Sequence, residues 1–413
     1  MRFAADLHLH SRYSTGVSPA MTLENIATWA LSKGLNLIGT GDCLQSDWLR
    51  EIEAGTEAGE PGLLKLAADV EERVWSRLPE KLRRPLRLVL STEIDCLPSP
   101  RTKFLGLHHL VYFPSFERVR MFAEDLRKHG DLSEGRPTVN VSPLQLLEKT
   151  LEGGPGCHFA PAHVMNPWFS DLGTVGGEAS LQDIYVDLTA EILAVETGLT
   201  STPPMCRRVS SLDSLALFSC SDAHSLENLG REYTVLEIEP SYDDLFAALR
   251  AGTNDRVLHA TKFPLYETRY FLNWCTECRR SYDGLRCKTC GRPLVTGSRD
   301  RLEAIADRAS PVMSERSPTF QELRPLALII ALLTKGKAES PPVKRAVQAL
   351  IKAVGHERYI LTEASEAEIA EASTPQLARL VIKQRTAVTA DFKPLDPTHG
   401  PLPEKQGALD LGF

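Results

Sequence analysis

The chain has 413 residues, 42% of them hydrophobic and 24% charged, close to a soluble globular average of roughly 45–50% and 25%. That excludes a wholly disordered or fibrous chain, and the length suits about two to three domains. The net charge of −7 and a pI near 5.9 argue against a protein that coats nucleic acid by bulk charge, although a local basic surface is compatible with binding it. The longest apolar run, Leu326–Leu333, has eight residues, where a spanning helix needs about 20, so no membrane association is expected. Met1-Arg2-Phe3-Ala4-Ala5-Asp6 opens no apolar leader, and the expected address is the cytosol. There, nine cysteines would remain thiols or bind metal.

From residue 1 to about 262, short β-like runs alternate with helical patterns. The runs are Phe3–Leu9, Leu35–Gly39, Leu86–Leu90, Leu110–Phe113, His158–Pro161, Ile192–Val195 and Leu215–Cys220. Helical spacing marks Leu23–Lys33, Leu63–Leu78, Phe116–His129, Leu144–Leu151 and Tyr242–Ala251. Alternation of this kind predicts an α/β fold with a mainly parallel sheet, at a length that suits a closed β/α barrel. Phe263-Pro264-Leu265 breaks the pattern, and residues 263–300 read as a small four-cysteine module. Residues 301–392 read as a helical region, and 393–413, rich in Pro and Gly, as a tail.

Asp6-Leu7-His8-Leu9-His10 carries the first chemistry. In a strand, residues two apart face one side, so His8 and His10 project together and Leu7 and Leu9 face the other way. Two imidazoles on one face suit a borderline-soft divalent ion; the bland alternative is a surface pair. Further metal-capable residues follow expected strands: Asp42, Glu93, His163, and Asp222 with His224. His109 opens a strand instead. In a β/α barrel, strand ends meet at one mouth, so these scattered positions predict a cluster of two to three divalent ions (Zn²⁺, Mn²⁺ or Mg²⁺). Such a cluster suits phosphate-ester hydrolysis, because one ion makes hydroxide from bound water while another polarises the phosphoryl oxygens. Glu93 can bridge two ions through its two oxygens, and Asp222, His163 and Glu93 are the expected catalytic set.

Cys275-x-x-Cys278 and Cys287-x-x-Cys290 have the knuckle spacing of a structural zinc site. Seven basic residues, Arg279 and Arg280 among them, face three acids between Cys275 and Arg301, a local charge of +4. Tyr270, Phe271, Trp274 and Tyr282 are interleaved or close by. Basic groups meet phosphates and aromatics stack on bases; the alternative is a solvated face around a small fold.

Asp6-Leu7-His8-Leu9-His10-Ser11 with Ser219-Cys220-Ser221-Asp222-Ala223-His224 resembles the polymerase and histidinol phosphatase (PHP) superfamily. That resemblance implies a distorted seven-stranded β/α barrel with a three-metal phosphoesterase centre. It would place His8, His10, Glu93 and Asp222 on one ion, Glu93, His109 and His163 on a second, and Asp42 and His224 at a third. His109 is preferred to His108 because the family ligand directly precedes an apolar strand. Two departures bear on the third site: Asp42-Cys43 where many members have Asp-His, and Gly16 where a further ligand is common. The parts in order, barrel, cysteine module through Asp300-Arg301-Leu302 and Ala306-Asp307-Arg308, and helical end, are similar to the endonuclease Q family of DNA repair nucleases. That implies cleavage 5′ of uracil, hypoxanthine, xanthine or an abasic site in DNA. A damaged base must leave the stack to be read. Trp168 or Phe169, near His163, could stack on it or wedge the duplex, or could simply pack a loop. Ser14 and Arg12 could meet phosphate, and Glu196 could contact substrate or only form a salt bridge. The competing readings are a small-molecule phosphomonoesterase and a non-catalytic module that recruits a replication or repair protein.

Overall fold

The structure, a computed structural model, describes residues 1–97 and 106–386; the expected tail, 393–413, lies outside them. Its strands are β1 (Arg2–Asp6), β2 (Leu37–Gly39), β3 (Thr56–Ala58), β4 (Leu64–Leu66), β5 (Arg87–Cys96), β6 (Leu107–Phe113), β7 (Thr138–Val139), β8 (His158–Pro161), β9 (Ala194–Glu196) and β10 (Ala216–Phe218). Beyond them come β11 (Tyr233–Glu237), β12 (Val257–Lys262), β13 (Asn273–Cys275), β14 (Arg280–Tyr282) and β15 (Thr319–Glu322). The helices of the first half are α1 (Leu23–Lys33), α2 (Ser46–Gly55), α3 (Ala68–Ser76), α4 (Phe116–Leu126), α5 (Pro143–Glu152), α6 (Leu181–Tyr185) and α7 (Pro203–Cys206). The rest are α8 (Tyr242–Ala251), α9 (Ser298–Ile305), α10 (Leu326–Thr334), α11 (Pro341–Ala353), α12 (Glu357–Thr362), α13 (Glu366–Glu371) and α14 (Pro375–Thr386).

Seven strands form the barrel. β2 pairs in parallel with β1 and β5, while β6 runs antiparallel to both β5 and β8. Leu193 N donates to Phe159 O (3.0 Å), joining β8 to β9, and β9 pairs in parallel with β10. Asp222 N donates to His8 O (3.0 Å) and Leu9 bridges Ala223, which closes the circle. Alternate residues of all seven strands, among them Ala5, Leu37, Val89, Leu110, Ala160, Ala194 and Phe218, share one apolar cluster, as the inside of a closed sheet requires. α8 plugs the bottom, where Phe246 stacks on His158 at the start of β8 with ring centroids 4.3 Å apart. Outside, α1 buries Ile26, Ala27, Ala30 and Leu31. Thr22 caps its start by accepting from Asn25 N, a bond worth about 1 kcal/mol.

Three expectations change. The sheet is mixed rather than mainly parallel, because β5 and β6 form a long antiparallel ladder. Residues 63–78 are β4 followed by α3, not one helix, because Leu64 and Lys65 pair with β5 and the β3 hairpin takes the other edge; pairing overrides helical spacing. β11 and β12 extend the sheet outward from β1, where the sequence showed no run. The C-terminal helices bury a core of their own, including Leu326, Ile329, Leu350, Ile369 and Val381, and β15 joins them to the barrel by pairing with β12. Among the described residues no helix is long and apolar enough to cross a membrane.

Candidate metal centre and its surroundings

The loops at the barrel mouth bring His8, His10, Glu93 and Asp222 together, each offering one ligand atom within 4.8 Å of the others. β1 ends at Asp6, so the two histidines do not alternate in a regular strand, and Leu7 and Leu9 enter different apolar clusters instead of one face. Asp222 Oδ1 lies 3.2 Å from His10 Nε2 and 3.5 Å from His8 Nε2. All three of these atoms are buried and without a hydrogen-bond partner. Buried polar atoms are normally satisfied, so three orphans facing one another fit a metal ion as their common partner. Burial disfavours a charge on His8, but Glu196, Asp222 and Glu93 outweigh it and raise its pKa well above 6.5. A pocket that draws a proton in this way draws a cation for the same reason.

Glu93, His108 and His163 form a second group. Glu93 Oε1 is 3.0 Å from His108 Nδ1 and 3.1 Å from His163 Nε2, while Oε2 is 3.3 Å from His10 Nε2. Glu93 thus faces both groups: Oε2 meets His10, while Oε1 meets His108 and His163 and also lies 3.5 Å from His8 Nε2. It sits within β5, not after it, where the strand has left β2 and pairs only with β6. Burial pushes His108 down to about 3, leaving a neutral imidazole able to ligate.

His109 is the clearest correction. It turns away from the mouth, and its Nε2 meets Asp171 Oδ1 at 3.0 Å, with the Tyr185 hydroxyl donating to Asp171 Oδ2 at 2.6 Å. The reason is direction. β6 is antiparallel to its neighbours, so its first residues, not its last, lie at the mouth, and successive side chains face opposite ways.

Asp42, an expected ligand, and Glu196, expected to contact substrate or form a salt bridge, both stand behind the histidines. Asp42 belongs to neither group: Oδ1 meets His10 Nδ1 at 2.9 Å, and Oδ2 accepts from Ser11 N, Ser11 Oγ and Ser14 Oγ. Gly41 aims it there with φ +62°, and a Cβ at Gly41 would come 2.1 Å from Leu9 O. Glu196 turns toward two of the histidines. Its carboxylate meets His8 Nδ1 at 3.0 Å and accepts from His163 N at 2.8 Å, so it orients one histidine from each group. Such outer carboxylates fix the tautomer and raise ligand basicity. Glu196→Gln is expected to weaken Mn²⁺ binding about 10–100-fold with the fold retained; an unchanged calorimetric titration would remove this positioning role. His224 lies beside His10, ring centroids 4.6 Å apart, with Nδ1 3.0 Å from the Asp222 carbonyl. It flanks the first group without joining it.

Phe169 lies flat against His108, centroids 4.7 Å apart and 16° between planes, and its carbonyl accepts from His108 N. Trp168 instead meets Tyr270 edge-on at 4.8 Å, tying this loop to the cysteine module. Ser14 donates to Asp42, and Arg12 turns away to Glu51 at 2.9 Å. Asp42, His163, Phe169 and Asp222 all have positive φ, strain that gathers at functional sites. The sequence reading missed Arg136, whose Nη1 is 3.3 Å from Glu93 Oε2. Nothing in Glu134-Gly135-Arg136-Pro137 announces it; the loop is brought in when Gly135 N donates to Tyr13 O and Thr15 Oγ1 donates to Glu134.

Cys275, Cys278, Cys287 and Cys290 converge within the same 4.8 Å limit, and Cys278 N and Thr289 N point at cysteine sulfurs, a fit to one tetrahedral ion. Of the basic residues around them, Arg292 pairs with Glu277, Arg299 pairs with Asp283 and Asp300, and Arg301 donates to Leu172 O and Glu178 O. Arg279 and Arg280 are exposed.

Comparison with known proteins agrees with this geometry. A family described as PHP-associated matches residues 207–254. An uncharacterized protein, YqxK of Bacillus subtilis (strain 168), is 28% identical over 398 residues, covering 92% of this chain and 94% of that protein. The crystal structure of the lesion-specific endonuclease PfuEndoQ from Pyrococcus furiosus superposes with a TM-score of 0.79 at 28% identity, covering 93% of this chain and 91% of that one. Endonuclease Q in complex with a 27-mer duplex substrate with an abasic lesion at the active site superposes with a TM-score of 0.80 at 27% identity, covering 93% and 92%. Over nearly its whole length the chain is similar to endonuclease Q, and residues 207–254 match the PHP-associated family.

Proposed function

We propose that the protein is a metal-dependent DNA endonuclease that cuts the phosphodiester bond 5′ of a lesion, an abasic site or a deaminated base such as uracil, hypoxanthine or xanthine. One observation carries this reading: two ligand groups share Glu93 at the mouth of a chain that matches endonuclease Q over nearly all its length. His8, His10, Glu93 and Asp222 would hold one divalent ion, and Glu93, His108 and His163 a second. His224, beside His10, would serve a third. Bound ions there would supply a nucleophile at neutral pH and charge stabilisation on the phosphate.

The chain's own residues do the rest. Arg136 has five donors in a fixed fork and turns one toward Glu93, leaving others for a phosphate oxygen, a geometry lysine would not reproduce. Phe169, parallel to His108, offers an aromatic face beside the ligands, where a flipped base or emptied sugar position would lie. The exposed Arg279 and Arg280 suit contact with the DNA backbone. One structural zinc ion in the cysteine module would hold them in place.

The test is cleavage of end-labelled duplex carrying one uracil, hypoxanthine or abasic site, with Mg²⁺ or Mn²⁺, beside undamaged duplex and a generic phosphomonoester. A single cut 5′ of the lesion is expected. Phosphomonoester turnover without cutting of any duplex would sink the proposal and favour the phosphatase reading.

A further inference from the structure

The barrel end opposite the ligand groups carries two arginines, Arg84 and Arg358, with guanidinium nitrogens that are buried and without a hydrogen-bond partner among the described residues. Arg84, just before β5, has Nε and Nη2 buried and without a hydrogen-bond partner. Arg358, in α12, has a buried, unpartnered Nε, while its Nη1 points outward to Glu363 at 3.1 Å. Burial first, then Arg358, pushes Arg84 down to about 10, and no acid acts on it. His356 stands with them. Its Nδ1 accepts from Tyr359 N at 2.9 Å, which leaves the proton of the neutral ring on Nε2 as a donor. Burial, then Arg84 and Arg358, pushes its pKa down to about 3. The adjacent acid, Glu357, is taken by Lys33 at 2.8 Å and by Leu326 N at 2.9 Å.

The place is a seam. Gly34, which ends α1 with φ +97°, lies so close to α12 that a Cβ there would be 2.6 Å from His356 Nδ1. Lys81 also crosses the seam, donating to Ala353 O at 2.6 Å. Guanidinium nitrogens buried without a partner are costly, and guanidinium forks match oxyanions. We propose that Arg84, His356 and Arg358 form a phosphate-binding site between the barrel and the C-terminal helices, whose occupant draws the two together. Arg84 and Gly34 precede β5 and β2, at the strand ends away from the mouth. The occupant is therefore not the scissile phosphate, but free phosphate or the phosphate of a small nucleotide. The inference does not depend on the nuclease reading.

The experiment is thermal unfolding of the full chain in chloride buffer, with and without inorganic phosphate or adenosine monophosphate, for the native protein, Arg84→Met and Asp222→Asn. Methionine retains much of the packed stem while removing the charge. Phosphate at ten times Kd is expected to raise the native Tm by about 1.5–2 °C. Arg84→Met should lose that rise, and Asp222→Asn, altered at the mouth, should keep it. A nucleotide half-saturating tenfold below inorganic phosphate would identify a nucleotide site; equal half-saturation would identify free phosphate. An equal rise in native protein and Arg84→Met, a rise lost only in Asp222→Asn, or no rise in native protein would each overturn the proposal. Should Arg84→Met not fold, Arg358→Met takes its place with the same expectations.

Discussion

Asp222→Asn is expected to yield a folded protein whose cutting of lesion DNA is lower by more than about 10³-fold, beyond the 10–100-fold typical of outer carboxylates. Asp222 Oδ1 is the atom on which His8 Nε2 and His10 Nε2 converge, and none of the three has a hydrogen-bond partner. Asparagine keeps the volume but removes the negative charge that makes the site a cation site. The backbone should tolerate it, because Asp222 has φ +48°, a conformation asparagine adopts readily. Its amide still donates to His8 O. Circular dichroism should be unchanged while Mn²⁺ stoichiometry falls. Cutting within tenfold of native would remove Asp222 from the ligand set.

The adjacent histidines should separate cleanly. His108→Ala is expected to lose activity by about 10²–10³-fold, as when one electrostatic partner of the transition state is removed, and to melt near the native temperature. His109→Ala should do the reverse. It leaves Asp171, wholly buried, with Tyr185 but without the imidazole, and it removes a ring stacked on Phe159 at 5.0 Å. Breaking a buried pair from one side costs about 3 kcal/mol or more, about 3 °C or more in Tm for a chain of this size. Activity of the folded fraction should stay within about tenfold, since His109 touches neither ligand group. An inactive but stable His109→Ala, beside an active His108→Ala, would return His109 to the ion.

Much of the centre was legible because its members lie close along the chain. His8 with His10, and each Cys-x-x-Cys pair, are set by local geometry that spacing reveals. Asp222 and His224 share one loop after one strand. Even there, the reason inferred for His8 and His10 was partly mistaken, since β1 stops at Asp6. The supports were harder to read. Asp42 and Glu196 are carboxylates after strands, as ligands would be, and only their partners, His10 Nδ1 and His8 Nδ1, show that they act from behind. Arg136 and Arg84 stand in stretches with no pattern at all.

By itself the sequence determined that this is an α/β chain with histidines and carboxylates at barrel strand ends, followed by a four-cysteine module and a helical region. Hydrophobic period and motif spacing are local properties, so they survive without coordinates. Only the tertiary structure decided that His108, not His109, meets Glu93, that Arg136 reaches the mouth, and that two nitrogens of Arg84 are buried at the opposite end. Each depends on strand direction, register or the docking of distant segments. A reversed strand exchanges its two ends, and a shift of one residue exchanges its two faces, while the spacing within the strand stays the same.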